Sequence, residues 1–266
     1  MPRWNALDYS MSSSEQEKWA QELISKLTLK GNERILDIGC GDGKVTAAMA
    51  RMLPKGSVLG IDSSKEMIRF AQRSFPARRF PNLDFKEGDA RKLSFTGEFD
   101  IVFSNATLHW VINHLPVLKG IKRSLKPSGI ALLQMGGRGN AKAVVDIVDA
   151  ITSGVKWDKY FQDFAFPYGF YGPEEYYEWV KLSELRARRI ELIEKDMVLK
   201  GKDGLHAWIR TTWLLYTERV PEELRFEFID DIVETYIRYS PLDKEGMVHV
   251  QMVRLEVEAE GVQLYD

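Results

Sequence analysis

Short apolar runs recur along the first half of the chain, each followed by a stretch of helical spacing. RILDIG, SVLGID, LDFKEGD, FDIVFSN and GIALLQM read as five strands; the third alternates apolar and polar, and the others are close to continuously apolar. Between and before them, Trp19, Ala20, Leu23, Ile24 and Leu27 predict an amphipathic helix over residues 14–28. Ser12, Ser13 and Ser14 each precede a Glu or Gln by three positions, the spacing of a capping box. Residues 45–53 predict a second helix, closed by Pro54 and Gly56. Ser63 or Ser64 caps a third, which carries Met67, Ile68, Ala71 and Phe75. Leu115, Leu118, Ile121 and Leu125 mark a fourth, ended by Lys126-Pro127-Ser128-Gly129.

Strands alternating with helices build βαβ units, with a mostly parallel sheet, right-handed crossovers and helices on both faces. Ligands of such sheets bind beyond the carboxyl ends of the strands, at the point where strand order reverses. Asp37–Gly43, Asp62, Asp89 and Asn105 all fall at or just past predicted strand ends, so four polar or glycine-rich points converge on one rim. After Gly136 the pattern changes. Residues 157–179 are dense in aromatic side chains and suggest an inserted helical cap. ARRIELIEKDMVL predicts a late strand or strand pair, residues 205–217 and 221–239 two more helices, and VHVQMVRLEVEAE a closing strand.

Composition narrows the function classes. The 266 residues are 44% hydrophobic and 29% charged with net charge −2, an ordinary globular balance. That balance offers no electrostatic footprint for nucleic acid or an anionic membrane. A lone cysteine, Cys40, excludes an internal disulfide and fits a reducing compartment. The N-terminal stretch lacks the apolar run of a signal peptide, and no run approaches the ~20 apolar residues of a membrane span. The expectation is a cytoplasmic protein. The histidines at 109, 114, 206 and 249 show no metal-ligand spacing, so no metal is expected.

The chemistry concentrates in ILDIGCGDGKVT, residues 35–46. A triphosphate loop requires G-x-x-x-x-G-K-[ST], but Gly43-Lys44 is followed by Val45 and Ile38 stands five places before Gly43. A dinucleotide loop requires G-x-G-x-x-G; Gly39 and Gly41 fit it, but Lys44 occupies the third position. What remains is D-x-G-x-G-x-G. Glycine there permits close backbone approach. An acid at Asp37 repels phosphate and suits a sulfonium or ammonium group, which favours S-adenosylmethionine over both nucleotides.

ILDIGCGDGKVT resembles the first motif of class I S-adenosylmethionine-dependent methyltransferases. The likeness continues through GIDSS, FKEGDA, FDIVFSNATLHWV and LKPSGIALLQM, over roughly residues 30–136. WNALDYS, NATLHWV and LLQMGG are more specifically similar to the trans-aconitate and juvenile-hormone acid methyltransferase group. The resemblance implies a doubly wound, Rossmann-like α/β fold with a seven-stranded, mostly parallel sheet and an antiparallel last strand. It implies a cofactor-binding core with an N-terminal lid over 1–136, a helical cap over 137–186, and the last strands over 187–266 with a second cap segment at 203–245. Cofactor and product would be S-adenosylmethionine and S-adenosylhomocysteine.

By this resemblance Asp37, Gly39, Cys40 and Gly41 line the cofactor, with Cys40 a small spacer. Asp62 accepts from the ribose hydroxyls, with Ser63 and Met67 near the adenosine; Asp89 and Ala90 meet the adenine; Asn105 lies beside the methionine moiety. Tyr9, together with Asn5, closes over the site, and an aromatic face there suits a sulfonium. His109 and Trp110 are the candidate catalytic residues, placed where the methyl group points. Tyr168, Tyr171 and Trp208 are candidate acceptor-pocket walls, and Arg210 a bidentate partner for an acceptor carboxylate. A carboxylate is already ionised at neutral pH and needs no base, whereas a hydroxyl acceptor usually does. With His109 the one candidate base, a small-molecule carboxylate is the favoured acceptor. A hydroxyl, amine or carbon acceptor is the runner-up, and a non-catalytic S-adenosylmethionine-binding protein is the rival from another class. The rival dinucleotide oxidoreductase predicts nicotinamide binding. For a nucleic-acid methyltransferase the chain lacks both a basic stripe and an N-P-P-[YF]-like tetrad after the fourth strand. The expected assembly is a monomer or homodimer.

Overall fold

The computed structural model describes residues 14–262. The chain divides into two compact units, one built from Gly139–Pro167 and Glu194–Val253, the other from the described residues up to 138, Tyr168–Ile193 and those from 254.

The second unit carries the sheet. Helix α1 (Ser14–Ile24) leads to β1 (Arg34–Ile38), α2 (Lys44–Arg51), β2 (Ser57–Asp62), α3 (Lys65–Ser74), β3 (Leu83–Glu87), β4 (Phe99–Asn105), α4 (Leu115–Ser124) and β5 (Leu125–Gly136). Helix α6 (Pro173–Leu182) follows a stretch of the other unit, and β6 (Leu185–Lys200) and β7 (Met247–Gly261) each contribute residues to both units. Strand order is β3-β2-β1-β4-β5-β7-β6. The first five strands are parallel, and β7 pairs antiparallel with β5. The chain winds outward from β1 to β3, then returns to place β4 on the other side of β1. The order therefore reverses between β1 and β4, the place where open α/β sheets take ligands beyond the carboxyl ends of their strands.

Both faces of this sheet are buried, which is why its strands read as nearly continuous apolar runs. Period-two alternation sorts their side chains. Leu36, Ile38, Leu59, Ile61, Leu133 and Met135 pack with Val117, Leu118 and Ile121 of α4 and Tyr176 and Val180 of α6. Ile35, Val58, Ile101, Phe103 and Leu132 pack on the opposite face with Leu23 and Ile24 of α1, Ala47 and Met49 of α2 and Ile68 of α3. Asp37, between Leu36 and Ile38, faces the second of these layers.

The other unit is helical: α5 (Lys142–Thr152), α7 (Gly201–Thr212), α8 (Leu214–Thr217) and α9 (Arg225–Tyr239), with the ends of β6 and β7. Its aromatic density is largely internal packing. Phe161 stacks on Phe228 at 5.5 Å, Trp157 meets Phe228 edge-on, and the Trp157 indole donates to Asp231 at 2.8 Å.

Three elements depart from the sequence expectation. Helix α1 ends at Ile24, short of 28. Lys126–Gly129 does not separate a helix from a strand. It lies within β5, where register jumps from Phe99↔Leu125 to Ile101↔Ile130 and Ser128 takes φ +63°. The chain accommodates proline there as a bulge. Of the strand or strand pair expected after residue 186, β6 is the single strand. The helix expected over 205–217 starts at Gly201 and breaks at Trp213.

Candidate active site

Three left-handed glycines, Gly39, Gly41 and Gly43, carry the chain from β1 into α2. At Gly39 the need for glycine is also steric. A Cβ there would lie 2.1 Å from Thr107 Cγ2, in the loop after β4. The Thr107 hydroxyl lies 3.1 Å from the Gly39 carbonyl and 3.0 Å from that of Asn105, so it clasps the glycine loop to the end of β4. The Gly39 and Cys40 N–H groups both donate to the Ile61 carbonyl, at 2.7 and 3.0 Å.

Asp62 ends β2 and holds the loop from the other side. Its carboxylate accepts from Gly41 N at 3.0 Å and Ser64 N at 2.8 Å. Burial raises its pKa, and these two backbone donors oppose the shift. Asp37 is 3% exposed and accepts from the Thr46 hydroxyl at 2.7 Å. Burial, with repulsion from Asp62, pushes its pKa up to about 7 against the Thr46 hydrogen bond. Among the described residues the hydrogen-bond partners of these two acids are one hydroxyl and backbone N–H groups, with no cation. Lys44, the base that closes the glycine loop, lies 3.4 Å from Asp42 instead. A site so built repels phosphate, and binding a cation stabilises the ionised form of Asp37.

The remaining predicted cofactor residues line the same rim with different degrees of engagement. Cys40 is buried, and burial together with Asp37 and Asp62 raises its thiol pKa well above the ordinary value, which keeps the thiol protonated. Ser64, not Ser63, caps α3, accepting from Met67 N at 3.3 Å; Ser63 is exposed and Met67 buried. Asp89 caps the short turn Ala90–Lys92 and is held bidentately by the Arg91 guanidinium, with contacts of 2.7–3.1 Å that lower its pKa. Asn105 closes β4, paired with Gln134 of β5. Tyr9 and Asn5 lie outside the described residues.

The candidate catalytic pair sits on the short turn Leu108–Trp110. His109 Nδ1 accepts from Gly136 N at 3.3 Å, and the His109 carbonyl accepts from Gly169 N at 2.8 Å. Its ring lies among Trp110 (5.7 Å), Phe170 (5.9 Å) and Tyr168 (6.4 Å); Tyr168 stacks on Phe170 and meets Trp110 edge-on. Burial, then the Arg254 guanidinium and His114, push the His109 pKa well below its ordinary value. The ring is neutral, and with Nδ1 accepting, the proton sits on Nε2.

Behind this turn stands His114, fully buried. Its Nε2 donates towards Leu108 O (2.8 Å) and Val111 O (2.7 Å), and Nδ1 lies 2.6 Å from the Tyr176 hydroxyl. Burial lowers its pKa to about 4. Tyr171 donates to the Ile112 carbonyl at 2.6 Å and packs edge-on against His114 and Trp179, which makes it a brace for the His109 turn. Trp208 and Arg210 lie on α7 of the helical unit, where Trp208 is buried edge-on against Trp213 and Arg210 is exposed.

Three contributors escaped the sequence reading. Thr107 and Gly136 act through backbone contacts that only the register reveals. Arg254 is 3% exposed, stands opposite Gly136 in the β5–β7 ladder and lays its guanidinium 5.5 Å from the Trp19 ring centre. Its strand, VRLEVE, reads simply as alternating.

A model of the methyltransferase domain matches residues 29–166. The chain belongs to the methyltransferase-domain family. It is a class I S-adenosylmethionine-dependent methyltransferase, similar to trans-aconitate methyltransferases. It is 30% identical over 212 residues to the uncharacterized methyltransferase C70.08c of Schizosaccharomyces pombe, a match covering 78% of this chain and 79% of the relative. It is 34% identical over 132 residues to trans-aconitate 2-methyltransferase of Deinococcus radiodurans, covering 50% of this chain and 49% of the relative. In fold it resembles Haemonchus contortus phosphoethanolamine N-methyltransferase 2, solved in complex with S-adenosyl-L-methionine, with TM-score 0.62, 18% identity and coverage of 97% of this chain and 57% of that one.

The methyltransferase's glycine loop fits the cofactor it requires. Asp62 has lone pairs left for two neighbouring hydroxyls after accepting from Gly41 and Ser64. Asp37 and Asp62 surround the loop with negative charge that suits an ammonium and a sulfonium. Among the described residues no group of acids, histidines or cysteines is arranged to hold a metal, and no helix is long and apolar enough to cross a membrane.

Proposed function

We propose that this methyltransferase O-methylates a carboxylate of a small-molecule acceptor. The observation that carries the reading is the Gly136 N–H donated to His109 Nδ1. It leaves His109 neutral with its proton on Nε2, the form that donates a hydrogen bond to an acceptor oxygen and has no free nitrogen for a proton. A hydroxyl acceptor needs a base at this point; a carboxylate needs only to be held. Bound S-adenosylmethionine supplies an electrophilic methyl group that the acceptor displaces in line. The residues around it supply orientation, a contribution worth up to ~7–11 kcal/mol where alignment is good. Trp110, Tyr168 and Phe170 make an aromatic wall beside the donor, suited to the acceptor's carbon skeleton and to excluding water. Asp62 orients the ribose, Asp89 and Ala90 the adenine, and Asn105 the methionine end.

The reading takes the protein to be a cytoplasmic monomer or homodimer acting on metabolites and not on nucleic acid. Its support beyond the site is the relationship to trans-aconitate 2-methyltransferases, which spans half of those enzymes. The test is methyl transfer from labelled S-adenosylmethionine to trans-aconitate, succinate and octanoate, beside octanol and octylamine. Ester formation on an acid, with a rate flat between pH 6 and 9 at saturating S-adenosylmethionine, is the expected result. Transfer only to the alcohol or amine, rising with pH, overturns it.

A further inference from the structure

We propose that Arg254 is the cationic recognition residue for the acceptor, pairing its carboxylate beside His109. The inference rests on the carboxylate reading above and names the residue that provides its charge selectivity.

The placement comes from the sheet. β5 ends at Gly136, on the carboxyl rim, and β7 runs antiparallel to it with Arg254 directly opposite. The same Gly136 donates to His109. One backbone position thus ties the neutral donor to the strand that carries the guanidinium. Arg254 is 3% exposed and lies against the face of Trp19, so its charge acts through protein and not through bulk water. Its influence on His109 is second only to burial.

The chemistry explains why a cation belongs there. A carboxylate entering this rim meets Asp37 and Asp62, both acids, and a histidine that carries no charge. Three other basic residues near the ends of these strands contact acids on the protein. Arg91 holds Asp89, Arg138 is exposed and held by Glu174 and Glu175, and Lys44 lies beside Asp42. A guanidinium is suited to the task because its planar fork matches a carboxylate and its charge is permanent. Arg210, the arginine expected from sequence to do this, sits exposed on a helix of the other unit.

The experiment compares wild type with Arg254→Lys and Arg254→Gln. The lysine variant keeps a charge at the site in case the glutamine variant fails to fold. S-adenosylmethionine affinity by calorimetry stays within about twofold of wild type in a folded variant, since Arg254 is not assigned to the cofactor. The KM for whichever of trans-aconitate, succinate or octanoate is methylated rises at least ~10-fold, the scale of one lost charged hydrogen bond. Octanoate, which competes better than octanamide in wild type, loses that advantage in Arg254→Gln. The NMR titration of His109 moves upward when the neighbouring charge is gone. An unchanged KM and an unchanged acid-over-amide preference in both variants overturn this assignment alone. A wild-type enzyme that binds S-adenosylmethionine and methylates no acid overturns the carboxylate reading and, with it, this one.

Discussion

Asp37 and Thr46 are joined by a 2.7 Å hydrogen bond in a place where neither side chain meets solvent. The threonine lies in the first turn of α2 and the acid is the last residue but one of β1, so this bond fixes the angle at which the glycine loop turns. Its partner is an acid that burial makes hard to ionise.

In the folded chain the Asp37 pKa stands at about 7, against 3.8 ordinarily. The folded state therefore holds a proton that the unfolded state releases between those values. The favourable contribution of the protonated acid is complete below about pH 4 and is lost as pH rises through 7. Without cofactor, the stability of wild type relative to Asp37→Asn should fall between pH 5.5 and pH 8, by an amount on the order of a few kcal/mol; the comparison cancels the opposite contributions of His109 and His114. Asp37→Asn keeps an acceptor for Thr46 and should flatten this dependence while weakening S-adenosylmethionine binding at least tenfold. Melting curves at the two pH values, with calorimetric titrations, check both halves. A variant that loses neither pH dependence nor affinity removes Asp37 from the site.

Gly39 and Thr107 make a second linked pair. A methyl group at position 39 has no room beside Thr107, and φ +76° is unfavourable for any other residue. Gly39→Ala should abolish measurable cofactor binding. Thr107→Val, which removes the hydroxyl near the Gly39 carbonyl but keeps the shape, should cost about 1–3 kcal/mol in stability and weaken binding. Adding Thr107→Gly to Gly39→Ala clears the clash but not the backbone strain, so binding should return in part. A double mutant no better than Gly39→Ala alone would show that backbone strain, not crowding, decides the position.

The carboxyl-rim residues Asp37, Asp62 and Asn105 were legible because each closes an apolar run, and strand ends are where an open α/β sheet places its ligand. The glycine spacing already favoured S-adenosylmethionine over phosphate ligands. What escaped depended on register. Thr107 looks like an ordinary loop threonine until the loop after β4 is laid against Gly39. Arg254 looks like one polar position in an alternating strand until it is found opposite Gly136. Pro127 reads as a helix terminator, but a bulge accommodates it inside β5. Trp208, chosen for its aromaticity, serves the packing of its own helix against Trp213. Periodicity shows which face of a strand is buried; it does not show which neighbour sits opposite.

His109 offers a prediction in rate. With Nδ1 accepting from Gly136 and burial holding the ring neutral, no titration of this residue falls in the working range. At saturating S-adenosylmethionine, the kcat/KM for a carboxylate should not change between pH 6 and 9. His109→Gln can place an amide donor near Nε2 and should retain part of the activity. His109→Phe keeps the ring's packing with Trp110 and Tyr168 but loses the donor, and should fall by roughly 10–100-fold. Equal activity in the glutamine and phenylalanine variants would falsify a hydrogen-bonding role for His109.

The last prediction concerns the brace behind that turn. His114 donates to the Leu108 and Val111 carbonyls and accepts from the Tyr176 hydroxyl, so both ring nitrogens are used in one tautomer. Its pKa is lowered to about 4. The sign is therefore opposite to that of Asp37. The stability it contributes is present above pH 6.5 and lost as pH falls towards 4, because the unfolded ring takes up a proton that the folded ring refuses. Tyr176→Phe removes the hydroxyl and leaves Nδ1 buried without its donor, at a cost of about 1–3 kcal/mol. In a chain of this size that corresponds to a fall of roughly 2–10 °C in melting temperature. Because Tyr176 reaches the reaction only through His114 and the His109 turn, kcat should drop more than cofactor affinity. A lowered melting temperature with kcat intact would make the cluster purely structural and leave the His109 turn to be held by Gly136, Gly169 and Tyr171 alone.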